Sequence, residues 1–384
     1  MSIKTIAFYL PQFHAIPEND YAHGTGFTEW VNTKKAKPLF NGHYQPRTPL
    51  NENFYNLLDE NVMIEQAELA KKYGIYGFCY YHYWFGDGKK LLEKPIENML
   101  HNKNIDIPFC LCWANENWCK RWDGGNNEII VEQDYGDEVA WKYHINYLLD
   151  FFMDERYIQI EDMPLLVVYK PELIPNFNEM MSLFQNEAQK KGLKGIKIAA
   201  QYPSIMFMES EKKEKIDYYI HFEPRYIQEE VRQNGMRIIQ KNNERIRISI
   251  KQFLLKHSFK GLIKIGQKIT GATNKDNKTL EIRDYDSDWN AIMKFENYGK
   301  KDIPGAFVDW DNTPRNTNGL AYRDSTPAKF GMYFSQLVKK VEQSECEKII
   351  FINAWNEWAE GAYLEPDEKY GYAYLENLRK GLTE

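Results

Sequence analysis

Short apolar or aromatic runs recur along the chain, and amphipathic stretches of helical period separate most of them. That alternation is the pattern of βα units and a parallel sheet. Eight runs read as strands: Ile3–Tyr9, Ile75–Tyr81, Ile107–Trp113, Pro164–Tyr169, Ile196–Gln201, Tyr218–Phe222, Gly305–Asp309 and Ile349–Asn353. Helices are predicted at Asn61–Tyr73, stopped by Gly74, at Asp137–Arg156, at Phe177–Lys191, stopped by Gly192, and at Thr326–Gln343. A last one near Tyr370–Leu382 would close the ring. The fold class expected is α/β, a (β/α)₈ TIM barrel spanning 1–384 as a single domain. An open doubly wound sheet is the rival, but no G-x-G-x-x-G follows the first strand.

Two stretches break the alternation. Roughly Pro11 to Asn53 is rich in Pro, Gly and aromatic residues and reads as loop, not helix. After strand six, a long insertion at about 223–302 exceeds any ordinary βα connection. Within it, Met236–Lys278 carries 11 Lys/Arg against Glu244 and Asp276, a net of +9 in a chain whose total is −6. Ile246, Ile250, Phe253, Leu254, Leu262, Ile263 and Ile269 are interleaved with those charges, which predicts a basic amphipathic helical excursion. Such a segment would make peripheral contact with an anionic membrane or a lipid-linked glycan. A solvated charged face or a subunit contact is the alternative. The remainder of the chain is acidic and would repel phosphate, so nucleic acid is not an expected partner.

Cysteine usage narrows the chemistry. The five cysteines are an odd number, and Cys110-Leu-Cys112 alternates like a strand instead of forming a metal knuckle. No metal or other cofactor is expected. Neither a signal-peptide pattern nor 18 uninterrupted apolar residues is found, so the expectation is a cytoplasmic protein with reduced thiols. The 15% aromatic content serves a core, and it also offers flat amphipathic platforms to sugar rings.

In such a barrel, function gathers where the strands end at their C-termini. Polar and aromatic residues crowd there: Tyr9, Gln12 and His14 after strand one, then Tyr81, His82 and Trp84 after strand two. Strand three leads to Trp113, Asn115, Glu116 and Trp118, strand four to Tyr169, and strand five to Gln201 and Tyr202. Glu223, Asp309, Asp311, Trp355, Asn356 and Glu365 follow the last three strands. Singly, each has a plain explanation: packing histidines, asparagine caps, aspartates serving a loop or paired with Arg315. Together they predict an aromatic-lined cleft for an oligosaccharide or polysaccharide.

Glu357 and Glu360 are the sharpest candidates for catalysis. Glycosyl transfer to water or another hydroxyl commonly needs two carboxyl groups, and an i, i+3 spacing on a helical turn puts both on one side. Held close in a wall of Trp355 and Trp358, like charges push one pKa upward. A capping or salt-bridging glutamate is the bland alternative. A metal role is weaker, because no histidine sits at a matching spacing.

Trp355-Asn-Glu-Trp-Ala-Glu-Gly-Ala-Tyr-Leu-Glu-Pro366, Ala7-Phe-Tyr-Leu-Pro-Gln-Phe-His14, Gly77-Phe-Cys-Tyr-Tyr-His-Tyr-Trp84 and Trp113-Ala-Asn-Glu-Asn-Trp118 resemble the WbsX-like family, a relative of glycoside hydrolase family 99. These motifs run from residue 6 to about 366. The resemblance implies a retaining barrel enzyme, probing α-linked mannose-like glycans in endo fashion. It also implies that Glu357 deprotonates the sugar 2-hydroxyl, which attacks C1 to give a 1,2-anhydro sugar, while Glu360 is the acid/base. This chain departs from the hydrolases in having Ala359 where they have His. The WbsX-like branch is associated with O-antigen and capsule synthesis, which implies as alternatives a glycosyltransferase or a non-catalytic glycan-binding barrel. Asp309-Trp-Asp311 fits the D-x-D pattern of transferases only in its letters.

Overall fold

All eight expected strands form, and they pair into one parallel sheet that closes on itself. A computed structural model describes residues 2–120, 128–201, 214–232, 280–295 and 298–383. The strands are β1 (Lys4–Tyr9), β2 (Gly77–Trp84), β3 (Phe109–Trp113), β4 (Met163–Val168), β5 (Lys197–Ala200) and β6 (Tyr218–Ile220). Strand β7 comes as two segments, Asp302–Ile303 and Gly305–Phe307, and β8 is Ile349–Asn353.

The closure is made at β7. Its first segment pairs with β6 and its second with β8, so one strand bridges both neighbours. Pro304 separates the two segments; it has no N–H to give to a ladder, but its carbonyl accepts from Phe351 N at 3.0 Å. Gly305 is required by a close approach. A Cβ there would meet the His221 carbonyl oxygen at 1.7 Å.

Strand alternation sorts the side chains into two shells. Phe8 touches Tyr81 of β2, Phe222 beyond β6 and Phe351 of β8, with ring centroids 5.7, 5.3 and 5.2 Å away. A residue of β1 reaches β6 only across the barrel, so Phe8, Cys79, Tyr81, Cys112 and Gln201 fill the interior. Their neighbours Tyr9, Phe78, Tyr80, His82 and Trp113 face outward, toward the helices.

The helices begin where local chemistry supports them. The second pair of the chain's helices shows this best: α3 (Glu60–Lys72) is capped by Asp59, which accepts from Asn61 N at 3.0 Å. Asp137 likewise accepts from Val139 N and Ala140 N at the start of α5 (Glu138–Phe152). Thr326 caps α8 (Pro327–Gln343), whose first residue is the proline favoured there. Helices α6 (Phe177–Lys190) and α9 (Ala373–Thr383) also match expectation.

Two expectations are corrected. The segment 11–53 is not all loop: it holds two seven-residue helices, α1 (Pro17–His23) and α2 (Glu29–Lys35). Burial decides this against the turn-rich composition, because Trp30 is 5% exposed and its indole N–H donates to the Tyr55 carbonyl at 2.8 Å. Helices α4 (Glu93–His101) and α7 (Tyr285–Lys294) were not foreseen; Pro95 falls in the first turn of α4, where a missing N–H costs nothing. Of the two plain roles open to Asp309 and Asp311, serving a loop or pairing with Arg315, the structure shows the first, since they accept from Arg47, His43 and Gln45. The basic stretch Met236–Lys278 and Tyr202 lie outside the described residues, and of the insertion only 225–232 and 280–295 with its flanks are described. Among the described residues, no helix is long and apolar enough to cross a membrane. All five cysteines are buried, and none is in a disulfide.

Candidate active site

The chain after β8 makes a tight turn at the barrel mouth. Asn356 and Glu357 pair antiparallel with Ala362–Tyr363, and Trp358–Glu360 forms one 3₁₀ turn between them. Gly361 closes it at φ 64°, a conformation that favours glycine. Two buried side chains pin this turn. The Asn356 amide accepts from Leu10 N at 2.7 Å and donates to Leu10 O at 3.0 Å, copying a strand partner for the end of β1. Trp358 stacks on Tyr363 at 3.8 Å, and its indole N–H donates to Glu365 at 2.6 Å.

Glu357 and Glu360 meet on one guanidinium. Arg315 Nη2 donates to Glu357 Oε2 at 3.1 Å, and Nη1 donates to Glu360 Oε1. The same arginine is gripped from behind by Glu29 of α2, whose Oε1 accepts from Nε at 2.9 Å and from Nη2 at 2.6 Å. Three carboxylates therefore share one cation. Glu29 is fully buried, Glu357 is 7% exposed and Glu360 is half-buried. Burial raises the Glu357 pKa, and the charge of Glu360 raises it further; Arg315 opposes both. The expected upward push thus falls on Glu357. Glu29 is raised as well, by its burial, against the pull of Arg315.

Tyrosines complete this wall. The charge of Glu357 acts on the hydroxyls of Tyr81 and Tyr83, and that of Glu360 on Tyr169, all three raised mainly by burial. Gln201 sits behind Tyr81, donating to its hydroxyl at 2.9 Å and accepting from Cys112 Sγ at 2.7 Å. Gln12 is fully buried, and among the described residues neither end of its amide has a hydrogen-bond partner; the same holds for His14 Nε2. His14 Nδ1 lies 3.1 Å from the Pro11 carbonyl, and burial lowers its pKa to about 4.

Other predicted residues lie away from the pair. Tyr9 faces outward, donating to Gln66 of α3 at 2.6 Å. His82, Trp84 and Trp113 form an outer aromatic layer with His144 of α5: the imidazoles of His82 and His144 are 3.0 Å apart, Trp84 stacks on His144 at 4.8 Å, and Trp113 meets its edge at 4.6 Å. Trp355 is fully buried against Phe78. Asn115 ties the loops after β3 and β4 together, exchanging two hydrogen bonds with the Lys170 backbone at 2.7 and 2.8 Å. Glu116 pairs with Lys170 Nζ at 2.6 Å, and Trp118 donates to Asn19 at 3.0 Å while meeting Tyr83 edge-on. Glu223 accepts from Ile227 N at 3.0 Å, as a cap would, and burial pushes its pKa well up.

Asp309 and Asp311 hold the first loop in place. Asp309 accepts from Arg47 Nη2 at 2.8 Å, and Arg47 Nη1 donates to the Gly361 carbonyl at 3.2 Å. Asp311 accepts from Gln45 Nε2 at 2.7 Å, from Thr313 Oγ1 at 2.6 Å and from His43 Nε2 at 2.8 Å. Because His43 Nδ1 accepts from Leu39 N, its proton sits on Nε2. These partners hold the Asp311 pKa down at about 2. Glu365 lies beneath the turn, accepting from Tyr55 at 2.8 Å, Gln66 at 2.7 Å and Trp358; burial nevertheless lifts its pKa to about 7.

The residues that sequence reasoning missed are Glu29, Tyr83, Arg47 and His43, with Arg315 noticed only as a partner for the wrong carboxylates. Tyr83 carried a usable signal, since it is two residues from Tyr81 on one strand face. Among the described residues, no group of three His, Cys, Asp or Glu could hold a metal ion.

A closed parallel barrel with a carboxylate pair on the turn after its last strand defines a glycosidase-like (β/α)₈ architecture. The chain belongs to the WbsX family, whose model, described as glycosyltransferase WbsX, matches residues 5–378. An uncharacterized protein WxcX of Xanthomonas campestris pv. campestris is 34% identical over 383 residues, covering 98% of this chain and 49% of that protein. A second strain's WxcX matches to the same extent, so the chain spans about half the length of the curated relatives it matches. In fold it is similar to the family 99 endo-α-mannosidase of Bacteroides thetaiotaomicron, with a TM-score of 0.53 at 12% identity over 99% of this chain and 96% of that one. A glycoside hydrolase-like protein gives 0.54 at 12% identity, covering 99% and 94%.

Proposed function

We propose that the protein is a carbohydrate-active enzyme, a retaining, endo-acting glycosidase or transglycosidase on a mannose-like α-linked surface polysaccharide or its precursor. The observation that carries this reading is the pairing of Glu357 and Glu360 on the one Arg315 at the barrel mouth. A raised carboxyl is a stronger base once ionised, which suits Glu357 to taking a proton from a sugar 2-hydroxyl. In the first step that 2-oxygen attacks C1, the glycosidic C1–O bond breaks, and Glu360 gives its proton to the departing oxygen. In the second, Glu360 takes a proton from water or an acceptor hydroxyl, which opens the 1,2-anhydro ring at C1. The 2-oxygen recovers its proton from Glu357. Net retention follows from two displacements at one carbon.

The test is product analysis on α-linked mannose, rhamnose and galactose glycans, with and without acceptor. Glu360→Gln should abolish sugar release, by about 10²-fold or more, while glycan binding persists. Unchanged turnover in that variant rejects the mechanism. The family description favours a second reading, a glycosyltransferase of O-antigen or capsule assembly. Specific binding of a nucleotide sugar, with transfer and no hydrolysis, would establish that reading in place of the first. Glycan binding that survives loss of both glutamates, without turnover, would leave a non-catalytic binding barrel.

A cytoplasmic site of action accords with five buried cysteines outside any disulfide. There the basic stretch Met236–Lys278 would bring the barrel to anionic lipid and lipid-linked glycans. Failure to bind anionic liposomes at low salt would remove the membrane part of the proposal.

A further inference from the structure

We propose that Glu29 is a positioning residue of this site, anchoring Arg315 from the buried side so that one guanidinium serves Glu357 and Glu360 together. The inference rests on the reading of that pair as catalytic and adds a residue that no motif pointed to.

The geometry is specific. A guanidinium presents its N–H groups in a rigid planar fork. Here one edge of the fork, Nε and Nη2, converges on the single oxygen Glu29 Oε1. Gripped along that edge, the plane cannot swing about the side-chain axis; Nη2 also donates to Glu357, and the far corner, Nη1, donates to Glu360. Glu29 itself cannot move away: it is fully buried on α2, which packs against the Trp358–Glu360 turn with Trp30 5.5 Å from Trp358. Among the described residues, its second oxygen, Oε2, is buried without a hydrogen-bond partner. A buried carboxylate left half-satisfied is costly unless its position is needed, which argues against a merely structural ion pair.

The electrostatic consequence follows from the described groups that act on Glu357. Glu360 lies on its own turn, Arg315 on the loop after β7, Glu29 on α2, and Tyr81 and Tyr83 on β2. Tyr169 and Glu116 act on the Glu360 side, and Lys35 on Glu29. Among these, Glu29 raises the proton affinity of Glu357 in two ways. Its own charge repels the ionised form, and its hold on Arg315 draws part of the guanidinium's charge away from Glu357. Replacing it by a neutral amide removes the repulsion and releases Arg315 to the pair. Glu357 then becomes easier to ionise and a weaker base.

Two variants and two readouts test this. Glu29→Gln should move the acidic limb of the kcat pH profile down by about one unit and lower kcat by about tenfold, with KM little changed. Glu29→Asp keeps the buried anion, and so the fold, but withdraws it by one methylene; its limb should move the same way by a smaller amount. An unmoved limb in Glu29→Asp, or a loss in Glu29→Gln that is uniform with pH, overturns the proposal. The second readout needs no substrate: the ionisation of Glu357, followed by infrared difference spectra against Glu357→Gln, should move to lower pH in both Glu29 variants. If that titration moves while the wild-type protein turns over no glycan, the catalytic reading fails and the coupling stands. If it does not move, Glu29 has no such role.

Discussion

Glu365 offers the clearest test of how the turn that carries Glu357 and Glu360 is supported. Its carboxylate is 6% exposed and accepts three hydrogen bonds, from Tyr55, Gln66 and Trp358. Glu365→Ala would leave all three donors buried and unpaired, and each such group costs about 1–3 kcal/mol. The loss should therefore be about 3–9 kcal/mol, a large share of the roughly 5–15 kcal/mol that holds a protein folded. Glu365→Gln behaves differently. Trp358 and Tyr55 both donate to one oxygen, which the glutamine carbonyl can replace. Its NH₂ would then face Gln66, whose own amide can turn over, accept from it, and donate to the Tyr9 hydroxyl instead.

The pH dependence makes this quantitative. Burial lifts Glu365 from 4.5 to about 7, so the folded state holds a proton that the unfolded state has already lost. The associated stability is fully present below pH 4.5 and is lost as pH rises through 7. At about 1.4 kcal/mol per unit, that is about 3 kcal/mol in all. Glu365→Gln carries no such dependence. Measured by urea unfolding at pH 5 and pH 8, it should gain about 3 kcal/mol on the wild type across that interval, whereas Glu365→Ala should be the weakest fold at both. Equal losses in the two variants, or a glutamine–wild-type gap that stays constant with pH, would refute the network.

Two further outcomes are expected. His82 and His144 are buried as a neutral pair, and burial lowers His82 from 6.5 to about 3, so stability present above pH 6.5 should fall by about 1.4 kcal/mol per unit for each as pH drops toward 3. The double variant His82→Leu/His144→Leu should flatten that slope in denaturant titrations between pH 6.5 and 5, and an unchanged slope would count against buried neutral imidazoles. Arg47→Met should cost about 3–5 kcal/mol, because it strands Asp309 as a buried unpaired charge, and adding Asp309→Asn should return part of the loss in thermal unfolding.

The strands were legible because each is a short apolar run, and runs of that kind survive any tertiary context. The misreadings have physical reasons. In β7, Pro304 sits inside a closing strand, which works because its two halves pair with different neighbours and need only the proline's carbonyl. Helix α2 is turn-rich and uncapped, and what makes it helical is Trp30 settling against Tyr55 and Trp358, contacts that lie 25 residues away and across the whole chain. The outer aromatic layer was mistaken for cleft because aromatic residues suit both faces of a strand. Only pairing register separates them: His82 lies opposite Trp113, and both point toward α5, whereas Tyr81 lies opposite Cys112 and points inward.

The site divides along the same line. Glu357 and Glu360 are three residues apart and visible together, but Glu29 and Arg315 are separated by 286 residues, and no local pattern announces that they meet. This bears on the departure at Ala359. Where the resemblance implies a His in the hydrolases, Ala359 lies fully buried within the turn and offers no polar side chain. Local support for Glu360 is therefore absent, and its hydrogen bond comes from Arg315, held in place by the first loop. That loop is itself pinned at Asn356 to Leu10, at Arg47 to Asp309 and Gly361, and at His43 to Asp311. The charges at the mouth thus depend on how 11–53 packs against the loops after β7 and β8. A change in that packing would alter proton traffic at the pair without touching either glutamate.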